Sequence, residues 1–208
     1  MSNSRRDYYV KAVELAWQNN TPLSKIHEDF YFSLKNGLEE TRYVYLAHNK
    51  LPKRWLDPVP SLQSPFTIVE TGFGTGLNFL TAWQAWATLP EPKRPFSFIS
   101  IEKHPLTIQD LKKSLANWPE LSSYSSELIK QYPYLVQGSH LLNFDNGKVK
   151  LQLIFGDVNS ELEKYNFMAD CWFLDGFSPS KNPSMWTDYL FNLMASKSHA
   201  HTTFSTFS

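Results

Sequence analysis

Four acidic residues fall at the ends of apolar, β-branched runs: Glu70 after FTIV, Glu102 after PFSFISI, Asp157 after LQLIFG and Asp175 after ADCWFL. One acid at the end of a strand is ordinary solvation. Four at successive ends suit a ligand with several hydroxyls, amines or a cation. The first run leads at once into Glu70-Thr71-Gly72-Phe73-Gly74-Thr75-Gly76. Glycines in such a loop let the backbone turn sharply and approach a ligand with no Cβ in the way. The spacing G-x-G-x-G differs from the G-x-G-x-x-G of dinucleotide sites, and no phosphate-binding G-x-x-x-x-G-K-[ST] occurs. A carboxylate at Glu70 would repel a phosphate and suit an ammonium group. A plain tight turn is the competing reading of this loop.

The other acids also have two readings each. Glu102 is placed to accept hydrogen bonds from a ribose diol, or is a solvated strand end. Asp157 is placed to accept from an adenine amino group, or supports the next helix, which Asn159 could cap. Asp175-Gly176-Phe177-Ser178-Pro179 offers a carboxylate to orient a nucleophile or take its proton, and a ring to stack on a planar substrate. A turn acid satisfied by backbone amides is its alternative. Lys181, Asn182 and Trp186 follow where they could line the mouth of that loop. The six histidines show no metal spacing, and the lone Cys171 excludes a disulfide framework and reads as a core residue.

The elements that must position these residues alternate from Phe66 onward. Strands are expected at Phe66–Glu70, Pro95–Glu102, about Lys150–Phe155, Ala169–Asp175 and the tail HTTFSTF. Helices are expected from Leu77 to about Thr88, Leu106 to about Asn117, Glu120 to about Tyr132, Asn159 to Tyr165, and ahead of Ser196. Asp145-Asn146-Gly147 between alternating runs marks a hairpin. Strand–helix alternation predicts an α/β fold with a mostly parallel sheet and right-handed crossovers. Ligands in such sheets bind beyond the carboxyl ends of the strands. Upstream, Asp7 is a candidate cap for a helix to about Asn19. Leu38 to about Ala47 reads as a helix or a strand. The proline-rich stretch Leu51–Pro65 reads as a connector.

The chain has 208 residues, with 20 Lys+Arg balancing 20 Asp+Glu. That length predicts one domain with a real core. Zero formal charge argues against disorder and against a globally basic nucleic-acid coat. Lys50, Lys53 and Arg54, with Arg5, Arg6, Lys35 and Arg42, could contact phosphate or form a solvated face. No apolar run is long enough for a membrane helix, and the N-terminus lacks the apolar segment of a secretory signal. The expectation is a soluble cytoplasmic protein, bound neither to a membrane nor to a metal.

VETGFGTGLNF followed by WFLDGFSPSKNPSMW, with DFYFSLKNGLEETRYVYL upstream, resembles the methyltransferase domain of the bifunctional tRNA 5-methylaminomethyl-2-thiouridine biosynthesis family. The resemblance implies a Rossmann-like class I methyltransferase sheet that binds S-adenosyl-L-methionine. It implies methylation of the aminomethyl nitrogen at the 5-position of the tRNA wobble uridine. By motif position, Glu70, Gly72, Gly74 and Gly76 would surround the methionine part of the donor. Glu102 would bind the ribose and Asp157 would face the adenine. Asp175 and Phe177 would be catalytic, and Gly176 and Lys181 would join them at the substrate. The partners implied are a tRNA anticodon loop and a flavin-dependent oxidase domain; no flavin site is readable here. On this reading residues 1–64 are an N-terminal extension and connector, and 65–208 a partial methyltransferase domain. The family continues past TFSTF with a further strand-forming segment, so the C-terminal end is expected to be incomplete and an isolated 208-residue chain of doubtful activity.

Overall fold

A computed structural model of the protein describes residues 8–33, 35–57 and 64–207. Asp7, Arg5, Arg6 and residues 58–63 of the expected connector lie outside them. The chain from Phe66 onward folds as the strand–helix alternation requires. Its strands are β4 (Phe66–Thr71), β5 (Phe96–Glu102), β6 (Gly138–Phe144), β7 (Val149–Phe155), β8 (Ala169–Leu174) and β9 (Ser198–Thr206). They form one six-stranded sheet in the order β6-β7-β5-β4-β8-β9. All neighbours are parallel except β6, which pairs antiparallel with β7 through the hairpin centred on Asn146. Asp145, Asn146 and Gly147 carry the positive φ angles that such a tight turn demands.

The helices are α2 (Leu77–Ala87), α3 (Ile108–Leu115), α4 (Ser122–Gln131), α5 (Val158–Leu162) and α6 (Asp188–Ser196). Alternation along the strands separates two cores. Phe66, Ile68, Phe98, Leu151, Leu153 and Phe173 face one side with Phe79, Leu80 and Trp83 of α2. Val69, Ile99, Ile101, Ile154, Trp172 and Leu174 face the other with Leu162, Leu190 and Met194 of α5 and α6. Both faces of the central strands are therefore dry, as a parallel sheet covered by crossover helices needs. Cys171 is fully buried among them. The sheet runs outward in both directions from β4, toward β5 and toward β8, so the order reverses at the ends of those three strands.

The N-terminal segment departs from expectation. No helix spans residues 8–19. Instead β1 (Leu15–Gln18) and β2 (Thr21–Ser24) pair antiparallel, and β3 (Asp29–Phe30) adds to β2. Val13, Leu15 and Trp17 lie two apart, the strand period, and the period was there to be read. Asn19 and Asn20 then turn the chain in the left-handed region, φ 48° and 63°, which asparagine tolerates better than most residues. The stretch around Leu38–Ala47 is helical: α1 (Gly37–Glu40) runs on without a break into a π-helical segment, Thr41–Ala47. Val13, Leu38, Tyr45, Leu46 and Trp55 pack into the core on the α2 side of the sheet.

Candidate functional site

The reversal point opens into a cavity of about 660 Å³. It is walled by the loop after β4, the ends of β5 and β8, and residues 29–45 of the N-terminal segment. Its lining contains Asp29, Glu40, Glu102 and Asp175, and no Lys, Arg or His among the described residues. Every formal charge on the wall is negative.

The glycine loop shapes the floor. Gly72 has φ +116°, and a Cβ there would stand 3.0 Å from the Asp175 carbonyl oxygen. Two backbones cross at that point, and neither can move aside. Gly76, φ +73°, begins α2, and a Cβ would press to 2.7 Å from the Phe73 ring. Gly72 and Gly74 line the cavity; Gly76 instead sets the tilt of α2 behind it.

The acids divide by surroundings. Glu70 is fully buried behind the wall. Its carboxylate accepts from the Ser100 hydroxyl (2.6 Å) and the Asn78 amide (2.9 Å). Burial pushes its pKa well above the usual carboxylate value, the neighbouring Asp175 adds to the rise, and the two donors oppose it. Glu102 is half-buried on the wall. It accepts from the backbone N–H of Gly74 (2.9 Å) and of His104 (2.7 Å), so it braces the glycine loop. Desolvation raises its pKa; the two amides and His27 pull the other way. Asp175 accepts from the Asn78 amide (2.6 Å) and the Gly176 N–H (2.9 Å). Its pKa is also raised by burial, against Tyr45, Asn78 and Gly176. One Asn78 amide nitrogen therefore serves two carboxylates, and the Thr41 hydroxyl donates to its oxygen (3.0 Å), fixing which way it points.

Phe177 lines the cavity, stacked on His27 (4.3 Å) and edge-on to Tyr31 (5.4 Å). Gly176 lines it too, with φ +157°, close to ordinary extended backbone. Two expected residues stand elsewhere. Asp157 caps α5 by accepting from the Asn159 N–H (3.0 Å) and pairs with Lys103 (3.0 Å). Burial works against its charge, yet Lys103 holds its pKa below the usual value. Lys181 reaches the Glu28 carbonyl (2.8 Å) and Asp29 (3.4 Å), and its own carbonyl lies 3.3 Å from His27 Nδ1. It clasps the 176–182 loop to the β2–β3 turn. Trp186 donates to the Phe177 carbonyl (3.4 Å). Arg54 of the basic cluster is structural, bonded to Thr203 and to the carbonyls of Asp170 and His201.

Sequence reasoning missed Asn78, Tyr31, Thr41 and Tyr45. Asn78 carried a signal: it is a polar residue in the otherwise apolar first turn of α2, directly after the glycine loop. The other three come from a segment whose docking no local pattern records.

The wall fits S-adenosyl-L-methionine. An acid-only cavity suits a sulfonium and an ammonium, the Cβ-free floor admits close approach, and Glu102 can take ribose hydroxyls on its free lone pairs. Comparison with known proteins agrees. Residues 119–208 match the S-adenosyl-L-methionine-dependent methyltransferase family model. The chain is 52% identical over 196 residues to the tRNA 5-methylaminomethyl-2-thiouridine biosynthesis bifunctional protein MnmC of Methylobacillus flagellatus, covering 94% of this chain and 30% of that protein. It is 47% identical to the protein of the same name from Chromobacterium violaceum, covering 94% and 29%. The chain thus spans about 30% of the length of these curated relatives. In fold it matches the crystal structure of MNMC2 from Aquifex aeolicus with a TM-score of 0.73 at 22% identity, over 95% of this chain and 60% of that one. The chain corresponds to the methyltransferase portion of the MnmC bifunctional proteins, and its residues 119–208 match the S-adenosyl-L-methionine-dependent methyltransferase family.

Proposed function

We propose that this chain methylates the aminomethyl nitrogen of 5-aminomethyl-2-thiouridine at the wobble position of tRNA, in the cytoplasm. The observation that carries the reading is the acid-only cavity wall beside Asp175, joined to relatives whose printed names describe biosynthesis of 5-methylaminomethyl-2-thiouridine in tRNA. Glu102, Gly72 and Gly74 would hold the donor, with Glu70 supplying negative potential from behind. Bound there, S-adenosyl-L-methionine supplies a methyl group already activated on a sulfonium.

The protein's task is to present a neutral amine to that group. An alkylamine resembles lysine, with a reference pKa of about 10.4, and enters mostly as an ammonium. The acid wall attracts the ammonium. Asp175, held by Gly176 and Asn78, orients its N–H and takes the proton directly or through water. Phe177 packs against the uracil, its other face braced by His27. Alignment of nitrogen and methyl carbon can be worth roughly 7–11 kcal/mol. The base is read as RNA loops are, splayed and stacked.

Residues 65–208 serve as the donor-binding sheet. Residues 1–64 act as a cover that contributes Tyr31, Glu40 and Tyr45 to the acceptor side. The anticodon loop is the macromolecular partner, and a flavin-dependent oxidase domain is the source of the aminomethyl group. The deciding experiment is calorimetry with S-adenosyl-L-methionine, then labelled methyl transfer to tRNA lacking the modification. Asp175→Asn should cut transfer at least about a hundredfold, the range of a lost acid–base group, with donor Kd changed less than about threefold. Equal losses in both would remove the role given to Asp175.

A further inference from the structure

The π-helical segment Thr41–Ala47 presents two hydroxyls to the acid pair, those of Thr41 and Tyr45. Thr41, at its start, donates to the Asn78 oxygen. Tyr45, four residues on, is 4% exposed and lies against the Phe173 ring (5.1 Å). Its hydroxyl is enclosed beside the Asp175 carboxyl and interacts with that group and with Glu70, with no other hydrogen-bond partner among the described residues. A phenol buried between two acids gives up its water, so its place here asks for a reason. Wide π turns are frequent at functional sites. Here the i→i+5 bonds from Leu51 N–H to the Leu46 carbonyl (2.9 Å) and from His48 to Tyr43 (3.4 Å) sustain the wide winding.

The acceptor count of Asp175 makes the reason specific. A carboxylate offers about four lone-pair positions. Gly176 N–H and the Asn78 amide occupy two. Tyr45 faces a third. A single position is then left toward the cavity, enough for one N–H of an amine.

We propose that Tyr45 is a positioning residue for Asp175: its phenol donates to the carboxylate and so fixes the remaining oxygen lone pair on the amine. This deepens the amine-methylating reading and rests on it. The phenol gives up no proton; its pKa is driven far above neutrality by burial and by the acids beside it, so it acts only as a donor. The groups that face Asp175 are the carboxyl groups of Glu70 and Glu102, and Tyr45, Asn78 and the Gly176 amide as donors. Loss of a donor to the ionised form raises the pKa of a carboxyl group.

The test is Tyr45→Phe, which keeps the ring on Phe173 and removes only the oxygen. Methyl transfer to tRNA should fall about tenfold or more in kcat, with the donor Kd within about twofold, as for an interaction made in the transition state. The acid limb of the kcat–pH profile should move up by about one unit. Carbon-13 NMR of the Asp175 carboxyl should show the same upward displacement without any turnover. Incorporation of 3-fluorotyrosine at position 45, a stronger donor of nearly the same shape, should move the Asp175 carboxyl titration downward; an unmoved titration there would overturn the assignment even if Tyr45→Phe unfolds. Unchanged kcat, limb and carboxyl titration in Tyr45→Phe would overturn the assignment, as would a loss of donor affinity equal to the loss of rate. A wild-type chain that transfers no methyl to tRNA would sink the function reading instead, while the NMR displacement would still decide whether Tyr45 serves Asp175.

Discussion

Asn78 is the residue whose replacement most directly tests the electrostatics of the site. Its amide nitrogen donates to Glu70 at 2.9 Å and to Asp175 at 2.6 Å, and its oxygen accepts from Thr41. Asn78→Leu keeps the volume and removes all three bonds. Hydrogen bonds to charged groups are worth about 1.5–3 kcal/mol each. Glu70 is dry and loses its full share; Asp175 is only half-buried and recovers part from water. Adding about 1 kcal/mol for the Thr41 bond, the net loss is about 3–5 kcal/mol. For a chain of this size that lowers Tm by about 6–20 °C. The loss must also depend on pH. The carboxyl groups of Glu70 and Asp175 have folded-state pKa values raised above their unfolded values. Such groups leave stability intact below the unfolded value and subtract from it as pH climbs toward the folded one. Removing the shared donor raises the folded values further, so the variant's deficit should be small near pH 4.5 and largest above neutrality. Thermal unfolding of both proteins from pH 4.5 to pH 8 measures this directly. A deficit of the same size at both ends would mean that Asn78 supports the fold by packing and does not solvate the two acids.

Three further outcomes follow from the same geometry. Gly72→Ala puts a Cβ 3.0 Å from a backbone oxygen at φ +116°, whereas Gly147→Ala at φ +83° meets open space; the second should cost about 1 kcal/mol of strain alone, the first clearly more, and only the first should weaken donor binding, by tenfold or more in calorimetry. Glu102 must be ionised to accept two ribose hydroxyls beyond its two amide bonds, so donor affinity should rise with pH through the raised titration of Glu102 and then level off; Glu102→Gln should flatten that curve. Lys181→Met releases the clasp on Glu28 and Asp29; because the pair is partly exposed, stability should change by less than about 1 kcal/mol, while hydrogen exchange quickens in residues 25–30 and 176–182 and KM for tRNA rises.

The central sheet was legible because its signals are local. FTIVE, FSFISIE and ADCWFL are short apolar runs bounded by glycine, proline or an acid, and Asp145-Asn146-Gly147 names its own turn. The segment before residue 20 is ambiguous in sequence: Asp7 and the apolar residues after it fit a helix start, while the period-two spacing of Val13, Leu15 and Trp17 and the paired asparagines fit the strand and turn that form. Asp157 illustrates a different limit. Whether a strand-end acid faces a ligand or caps the following helix depends on where Lys103 and Asn159 stand, and only the fold decides that.

The acceptor half of the site was illegible for a stronger reason. Tyr31, Glu40, Thr41 and Tyr45 are far from Asp175 along the chain, and nothing in their own neighbourhood marks them as polar contributors to a cavity. They arrive because Leu38, Leu46 and Trp55 dock on the same core as α2, which carries Asn78 and packs behind the glycine loop. Charge shows the same dependence on tertiary placement. A formal charge of zero describes the whole chain and not the site, since the fold gathers Glu102, Asp175, Asp29 and Glu40 on one wall, while Arg54 and Lys93 bond structural carbonyls and Lys148 pairs with Glu91 at the surface. In a partly dry cavity, unlike charges attract several times more strongly than in water. The local field, not the net charge, therefore favours a cationic donor and, on the proposed reading, a cationic amine.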